Sequence, residues 1–246
     1  MERSGTRLTA WLAAGAAALA GSWGLSGCGG GPSTSGLTSA NSAFGPAPHV
    51  ATAPRGWQRS AELDVVSGAS TLQVTSAALG GSLVRATTPA NSSVKPDLIS
   101  QNGTVQVYLD GTGRSGPAAV QIVLNSAVTW HLLFAGGASQ ISAAPARFGG
   151  ADFAAGTSLI SLRLPRPSGT VTVELAGGAS QVSLSLPAGV PARLALDGGA
   201  STATLFGRAY TGIAGGTVLT SPGWAQASAR YQVTAPAGVS SVDVTG

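Results

Sequence analysis

The sequence predicts an all-β protein built from stacked repeats, and three observations point to this fold. Of 246 residues, 43% are apolar, only 9% are charged and 36 are glycine, a composition that favours strands and tight turns over helices or disorder. Apolar and polar residues alternate in many short segments. The sequence AGGASQIS at 135–142 also returns almost unchanged as AGGASQVS at 176–183.

The repeated segment recurs at an interval of about twenty residues, which is typical of solenoid folds. Gly-Gly-Ala-Ser occurs at 136–139, 177–180 and 198–201, and a weaker copy, Gly-Thr-Ser, occurs at 156–158. Because glycine lets a chain turn sharply or approach a neighbouring backbone closely, we expect these segments to form the corners of the repeats. The predicted corner residues are Gly136, Gly137, Ser139, Gly177, Gly178, Ser180, Gly198, Gly199 and Ser201.

Each corner is flanked by the alternation of a half-buried β-strand. Val171 and Val173 share one face before the second copy, and Val182 and Leu184 share one face after it. A period of two with one apolar face is the pattern of a strand that covers a core. We therefore predict a stacked-repeat, β-solenoid-like roll, with a β-sandwich of ordinary hairpins as the alternative.

The region upstream of the repeats is also predicted to be β. Ser-Gly-Ala-Ser at 67–70 resembles a more distant corner. Asn102 and Gly103 predict a tight hairpin turn, and Pro96 is expected to mark the start of the first strand of that hairpin. Residues 118–124 form a further strand, and we predict no helix after residue 27.

The first 27 residues have the pattern of a secretory signal, because Arg3 and Arg7 precede an apolar run rich in Ala and Leu. The run ends in a motif that resembles the lipobox of bacterial lipoproteins, Leu25-Ser26-Gly27-Cys28. This resemblance implies that the signal is cut before Cys28 and that the Cys28 thiol carries diacylglycerol. Cys28 is the only cysteine, so a disulfide framework within one chain is excluded.

The sequence divides into three predicted parts. Residues 1–27 are the lipoprotein signal peptide, residues 28–56 are the lipidated cysteine and a flexible tether rich in Gly, Pro and Ser, and residues 57–246 are the β-repeat domain. Two or more acyl chains hold a protein stably on a membrane. We therefore expect a lipid-anchored protein on the extracytoplasmic face of the cell membrane.

The order of segments across 57–246 resembles the toast-rack β-domain. That family includes proteins named as putative bacterial adhesins and the C-terminal domain of LiaF-like cell-wall-active antibiotic response proteins. The resemblance rests on the Gly-Ala-Ser strands followed by SLPAGVPARLALDGG, SPGWAQASARYQV and PAGVSSVDV. It implies an extracytoplasmic, non-catalytic module. This chain departs from the LiaF-like members because it has a lipobox where they carry several membrane helices.

The predicted domain shows no catalytic or metal-binding motif, so we predict no catalytic residue, metal or cofactor. His131 alternates with apolar neighbours in a strand, and no nucleophile elbow accompanies it. Glu62 and Asp64 lie two residues apart on one strand face, which is typical of a solvated strand. Residues 111–116 match the G-x-G-x-x-G pattern, but a strand follows them, whereas a dinucleotide site requires a helix.

Binding is the function that remains. The formal net charge is +4, and the cations are scattered along the sequence without the cluster that predicts nucleic-acid binding. Trp224 follows Ser-Pro-Gly and is a candidate binding residue, or a cap for the repeat stack. We expect adhesion, or sensing of envelope stress through contact with a cell-wall polymer. The alternatives are an accessory partner of a membrane sensor protein and an enzyme acting on envelope carbohydrate.

Overall fold

The computed structural model describes residues 48–246, which form two β-sheets around one apolar core. The predicted signal peptide, the lipobox with Cys28 and the tether as far as residue 47 lie outside the described residues. Residues 48–246 contain nineteen strands and no helix. Accordingly, this part of the chain has no helix with the length and apolar character needed to cross a membrane.

The strands are β1 (His49–Pro54), β2 (Ser60–Val65), β3 (Ala69–Ala77), β4 (Ser82–Thr88), β5 (Val94–Gln101), β6 (Thr104–Gly111), β7 (Ala119–Asn125), β8 (Thr129–Phe134), β9 (Ala138–Ala143), β10 (Phe148–Phe153), β11 (Thr157–Arg163), β12 (Thr170–Glu174), β13 (Ala179–Ser185), β14 (Ala192–Leu196), β15 (Ala200–Leu205), β16 (Arg208–Ile213), β17 (Thr217–Thr220), β18 (Arg230–Thr234) and β19 (Val239–Thr245).

The two sheets form a solenoid-like stack. Sheet A has ten strands in the order β1-β4-β7-β3-β9-β11-β13-β19-β15-β16, and sheet B has nine in the order β17-β14-β18-β12-β10-β8-β2-β6-β5. The central pairs are parallel, and antiparallel pairs occur only where β1, β4 and β5 cover one side of the stack and β16 and β17 cover the other. From β8 to β14 the chain alternates between the sheets, so each turn of the coil contributes one strand to each sheet. The stacked-repeat prediction is confirmed, and the hairpin-built sandwich is wrong.

The turns of the stack do not follow chain order throughout. β18 lies between β12 and β14, and β19 lies between β13 and β15. The repeat period alone would place β15 beside β13, but the C-terminal strand pair separates them. Alternation determines which side chains face the core and does not determine which strand is the neighbour.

The core lies between the sheets and consists of aligned rows of apolar side chains. One buried row crosses sheet B through Leu63, Leu132, Ala151, Val173, Val233 and Leu194. The matching row crosses sheet A through Leu72, Ile141, Ile160, Val182, Val242 and Ala203. The rings of Phe134 and Phe153 stack with their centroids 4.7 Å apart. The buried Trp130 donates its indole N–H to the carbonyl of Asn125 at 3.1 Å.

The β structure begins earlier than the sequence predicts. Strand β1 covers six residues of the predicted tether and pairs antiparallel with β4. Ala53 is the only buried residue of β1, so no apolar alternation identifies this strand in the sequence. His49, which the tether prediction leaves in solvent, is the first residue of β1.

The predicted hairpin between β5 and β6 is confirmed, with φ of 50° at Asn102 and 87° at Gly103. Pro96 lies inside β5 and not ahead of it, so that detail of the prediction is wrong. β5 is the edge strand of sheet B, where a missing N–H need not remove a ladder hydrogen bond.

Candidate functional site

The predicted corner residues all lie at one end of the stack, where strands of sheet B lead into strands of sheet A; we call this the corner end. The first glycine of a copy lies against the backbone of the neighbouring turn. A Cβ added to Gly136 would lie 2.3 Å from the carbonyl carbon of Ser67, and one added to Gly177 would lie 2.2 Å from that of Ala155. The second glycine of each copy completes the turn, and the members of this set are Gly137, Gly178 and Gly199.

The corner serines form a single exposed row across the starting ends of six neighbouring strands of sheet A. The register between neighbouring strands brings each serine beside the next. In spatial order the row is Ser70, Ser139, Ser158, Ser180, Ser240 and Ser201. Adjacent strands are about 4.8 Å apart, so the repeated sequence produces hydroxyl groups at regular spacing.

Two rows of mostly polar side chains lie next to the serines on the outward surface of sheet A; these two rows are the polar face. The serines have the same strand parity as the buried core row and are exposed at the corner, so they are not part of this outward surface. The first row is Thr71, Gln140, Leu159, Gln181, Ser241 and Thr202. The second is Gln73, Ser142, Ser161, Ser183, Asp243 and Thr204. Asp243 is the single charged group in these rows. Apart from Leu159 and Asp243, the polar face is therefore an uncharged array of hydroxyls and amides.

The outward surface of sheet B has the opposite character, because it carries carboxylates. Glu62 is in register with His131, and Asp152 is in register with Glu174. The Nε2 atom of His131 lies 2.9 Å from Oδ2 of Asp152, and both side chains are 40% exposed. Within residues 48–246 no three His, Cys, Asp or Glu side chains are grouped as metal ligands would be.

Glu62 and Asp64 lie on one face of β2 but have different surroundings. Asp64 accepts a hydrogen bond from the side-chain amide of Gln106 at 3.2 Å, whereas Glu62 lies beside His131 on the next strand. The two carboxylates therefore have separate neighbours on this surface of sheet B. The G-x-G-x-x-G segment links β6 to β7, and Thr112 in this segment donates a hydrogen bond to the carbonyl of Ser92 at 2.6 Å.

The loops opposite the corner end gather most of the arginines; we call this the arginine end. Its loops contact one another in sequence along the stack. The carbonyl of Arg59 accepts a hydrogen bond from Thr129, and the carbonyl of Arg147 accepts one from Trp130. The arginines in these loops or at the strand ends beside them are Arg55, Arg59, Arg147, Arg163, Arg166, Arg193, Arg208 and Arg230.

No acidic residue occurs in the described loops of the arginine end. Within residues 48–246 the ion pairs are Lys95 with Asp110 and His131 with Asp152, and neither involves an arginine. The guanidinium groups instead contact carbonyl oxygens, as Arg166 does with Ala188 at 3.2 Å. This end is consequently a cationic surface with uncompensated charge.

Trp224 lies at the arginine end in the loop between β17 and β18. Its indole N–H donates to the carbonyl of Tyr231 at 3.1 Å. The guanidinium groups of Arg193 and Arg230 lie over its ring, 5.3 Å and 4.2 Å from the centroid. The Tyr231 hydroxyl donates to the carbonyl of Pro165 at 2.7 Å, and burial raises the pKa of this hydroxyl above its ordinary range.

Sequence reasoning missed two features of this end. The arginines are far apart in the sequence, and only the strand topology brings them together. Trp57 is fully exposed (100%) in the loop between β1 and β2, and the sequence reading does not single it out. The available signal was the segment Arg55-Gly-Trp57-Gln-Arg59, an aromatic residue between two arginines in a predicted turn.

The fold resembles that of a solved structure. The crystal structure of a putative cell adhesion protein from Clostridium sporogenes matches with a TM-score of 0.50 and 12% identity, over 81% of this chain and 99% of that chain. A second structure, of a putative adhesin from Bacteroides fragilis, covers 81% of this chain and 98% of its own at 6% identity, with a TM-score of 0.23. No protein-family model and no curated protein matches this sequence. The first similarity shows a shared fold.

Proposed function

We propose that this chain is a membrane-tethered extracytoplasmic lipoprotein whose β-stack is a non-catalytic adhesion module that contacts a cell-wall polymer. The observation that carries the proposal is the polar face, on which two rows of mostly polar groups stand in register on six parallel strands. A sugar polymer presents hydroxyl and amide groups at regular intervals, and an array of this kind can bind it through many weak hydrogen bonds.

Three further points support this assignment. The lipobox-like motif ending at Cys28 favours membrane attachment outside the cytoplasm. The toast-rack resemblance and the similarity in fold to a protein named for cell adhesion favour a surface binding role. The His131–Asp152 pair lies on the outward surface of sheet B with both side chains 40% exposed, which favours a non-catalytic role because catalytic groups are usually held in a concave, partly desolvated site.

Co-sedimentation of the purified full chain with isolated cell-wall sacculi tests the proposal. Because the polar face is almost uncharged, binding through it should survive moderate salt, where exposed charge interactions are screened. The double variant Gln140→Ala/Gln181→Ala removes two exposed amides from one row of the polar face. We expect it to bind sacculi several-fold more weakly than the unmodified protein, on the order of one lost hydrogen bond per site.

The matched control is Gln101→Ala/Gln232→Ala, which makes the same chemical change on sheet B and should leave binding unchanged. An unmodified protein that does not sediment with sacculi would refute wall contact. Crosslinking of membranes for a bound sensor protein would then test the accessory-partner alternative. Equal weakening of both double variants would show that the polar face is not the contact surface.

A further inference from the structure

We infer that the arginine end is a second binding surface, specific for a phosphodiester-linked anionic polymer. This inference rests on the proposed contact with the cell wall. It assigns the arginine end, and not the polar face, to a polymer of this class. Guanidinium groups match phosphate oxygens in geometry and remain charged at every relevant pH. A surface of arginines that, within residues 48–246, form no ion pair and have no carboxylate in the same loops therefore suits a polymer with one negative charge per repeat unit.

The arrangement of three arginines suits a linear chain. Arg59 precedes β2, Arg147 precedes β10, and Arg230 begins β18. These strands alternate with β8 and β12 in sheet B, so the three backbone positions recur about every 10 Å across the sheet. A polymer lying across the strand ends would meet the exposed guanidinium groups of Arg59 and Arg147. It would then meet Arg230, which is half-buried and already donates to Thr170, Trp224 and Ala225.

The charge at this end is available to a ligand. Arg59, Arg147 and Arg166 are exposed. The guanidinium group of Arg147 makes one long hydrogen bond, of 3.5 Å, to the carbonyl oxygen of Ala127. That of Arg166 makes one to the carbonyl oxygen of Ala188. Each guanidinium group therefore keeps donors for phosphate oxygens.

The structure favours a polymer over a lipid surface as the occupant. Insertion into a bilayer interface requires a broad apolar surface. Among the exposed large apolar residues of 48–246, Trp57 and Phe206 lie in loops at this end and Ile99 lies on β5 near the Asn102 turn, on three separate elements, whereas Val50 and Val218 lie on strands away from its loops. The chain also enters the described fold at His49, at the corner end, because His49 pairs with Thr88 at the far end of β4.

The test compares two triple variants of the full chain, purified in mild detergent, that lower the net charge equally. Arg59→Gln/Arg147→Gln/Arg166→Gln neutralises the arginine end. Arg85→Gln/Lys95→Gln/Arg114→Gln removes three exposed cations elsewhere and is the matched control; circular dichroism checks that both fold. The probe is a fluorescently labelled poly(glycerol phosphate) chain, and its anisotropy is measured over a salt series.

The expected result is that the arginine-end variant binds poly(glycerol phosphate) at least about tenfold more weakly near 0.1 M salt, with a shallower dependence on salt. The control should stay within about threefold of the unmodified protein, since long-range charge effects are screened at this salt concentration. Equal affinity of all three proteins for the probe, or equal losses in both variants, would overturn the inference.

Two further measurements separate the remaining outcomes. If the arginine-end variant binds phosphatidylglycerol vesicles less well than the unmodified protein but binds the polymer normally, the surface is a membrane contact and the inference is wrong. Sacculi treated with hydrofluoric acid, which removes phosphodiester-linked polymers, should lose the salt-sensitive part of binding. If untreated sacculi bind the variant and the unmodified protein equally at low salt, this inference fails while the proposed wall contact stands.

Discussion

Gly177→Ala tests the close approach of neighbouring turns at the corner end. The new methyl group would lie 2.2 Å from the carbonyl carbon of Ala155 and 2.5 Å from its oxygen. Gly177 also donates its backbone N–H to the carbonyl of Phe153 at 2.8 Å, so the two turns cannot separate without losing that hydrogen bond. The obstacle is backbone, and a rotamer change cannot relieve it.

The expected cost follows from this geometry. Overpacking that forces backbone shifts usually costs 1–3 kcal/mol, and we expect Gly177→Ala to reach about 3 kcal/mol because the contact is well inside van der Waals distance. For a domain of this size, each kcal/mol lowers Tm by roughly 2–4 °C, which gives a decrease of about 6–12 °C. The assay is thermal unfolding followed by the β-sheet circular dichroism signal.

Gly81→Ala is the matched control. A Cβ on Gly81 meets nothing within 4 Å, and the residue does not require a left-handed backbone. This variant should have an unchanged or slightly raised Tm, because alanine restricts the unfolded chain. A Gly177→Ala protein whose Tm lies within about 2 °C of the control would refute the reasoning, since it would mean that the turns separate at almost no cost.

Three other predictions concern separate parts of the molecule. Phe206 has φ of 49° and precedes Gly207 in the β15–β16 turn. Because asparagine adopts this left-handed backbone more readily than phenylalanine, Phe206→Asn should raise the free energy of unfolding in urea by about 1 kcal/mol, and a decrease would contradict this. Burial raises the pKa of the Tyr231 hydroxyl, so folding favours its protonated form. The free energy of unfolding should therefore be constant below the unfolded pKa near 10 and should fall as the pH rises above it. Tyr231→Phe should flatten this alkaline decline, and an unchanged dependence of stability on pH would contradict the role given to Tyr231. Cys28→Ala should release the protein from membrane fractions or leave an uncleaved precursor, whereas normal cleavage with normal retention would refute lipidation.

The strands and corners are predictable from the sequence because their signals are local. Alternation such as Val171-Thr-Val173 marks a half-buried strand wherever that strand lies, and the Gly-Gly-Ala-Ser segments mark the places where turns approach each other. β1 is not predicted because Ala53 is its only buried residue, and a strand with one buried residue shows no alternation of apolar and polar residues. The position of β19 between β13 and β15 depends on pairing between distant segments, which local patterns do not encode.

Of the candidate binding surfaces, one has a local sequence signal and the other does not. The corner serines are visible in the sequence as a repeat, although Ser240 joins the row only through the insertion of β19. The arginine end has no sequence signature, because Arg59, Arg147 and Arg230 are separated by most of the chain. Their proximity follows from the fact that each precedes or begins a strand of sheet B, and parallel strands start at the same end of a sheet.

A parallel stack can keep one core while its exposed surfaces carry different chemistry. Inward positions such as Ile141 and Ile160 repeat in every turn because they fill the same space, whereas the outward positions next to them along each strand, such as Gln140 and Ser161, are free to vary. These outward positions carry neutral hydrogen-bonding groups on sheet A and carboxylates on sheet B, and the loops of the arginine end carry arginines. Weak neutral contacts on a flat face resist salt, whereas arginine contacts at the strand ends respond to it. The salt dependence of binding therefore separates the contributions of the two surfaces in a single titration.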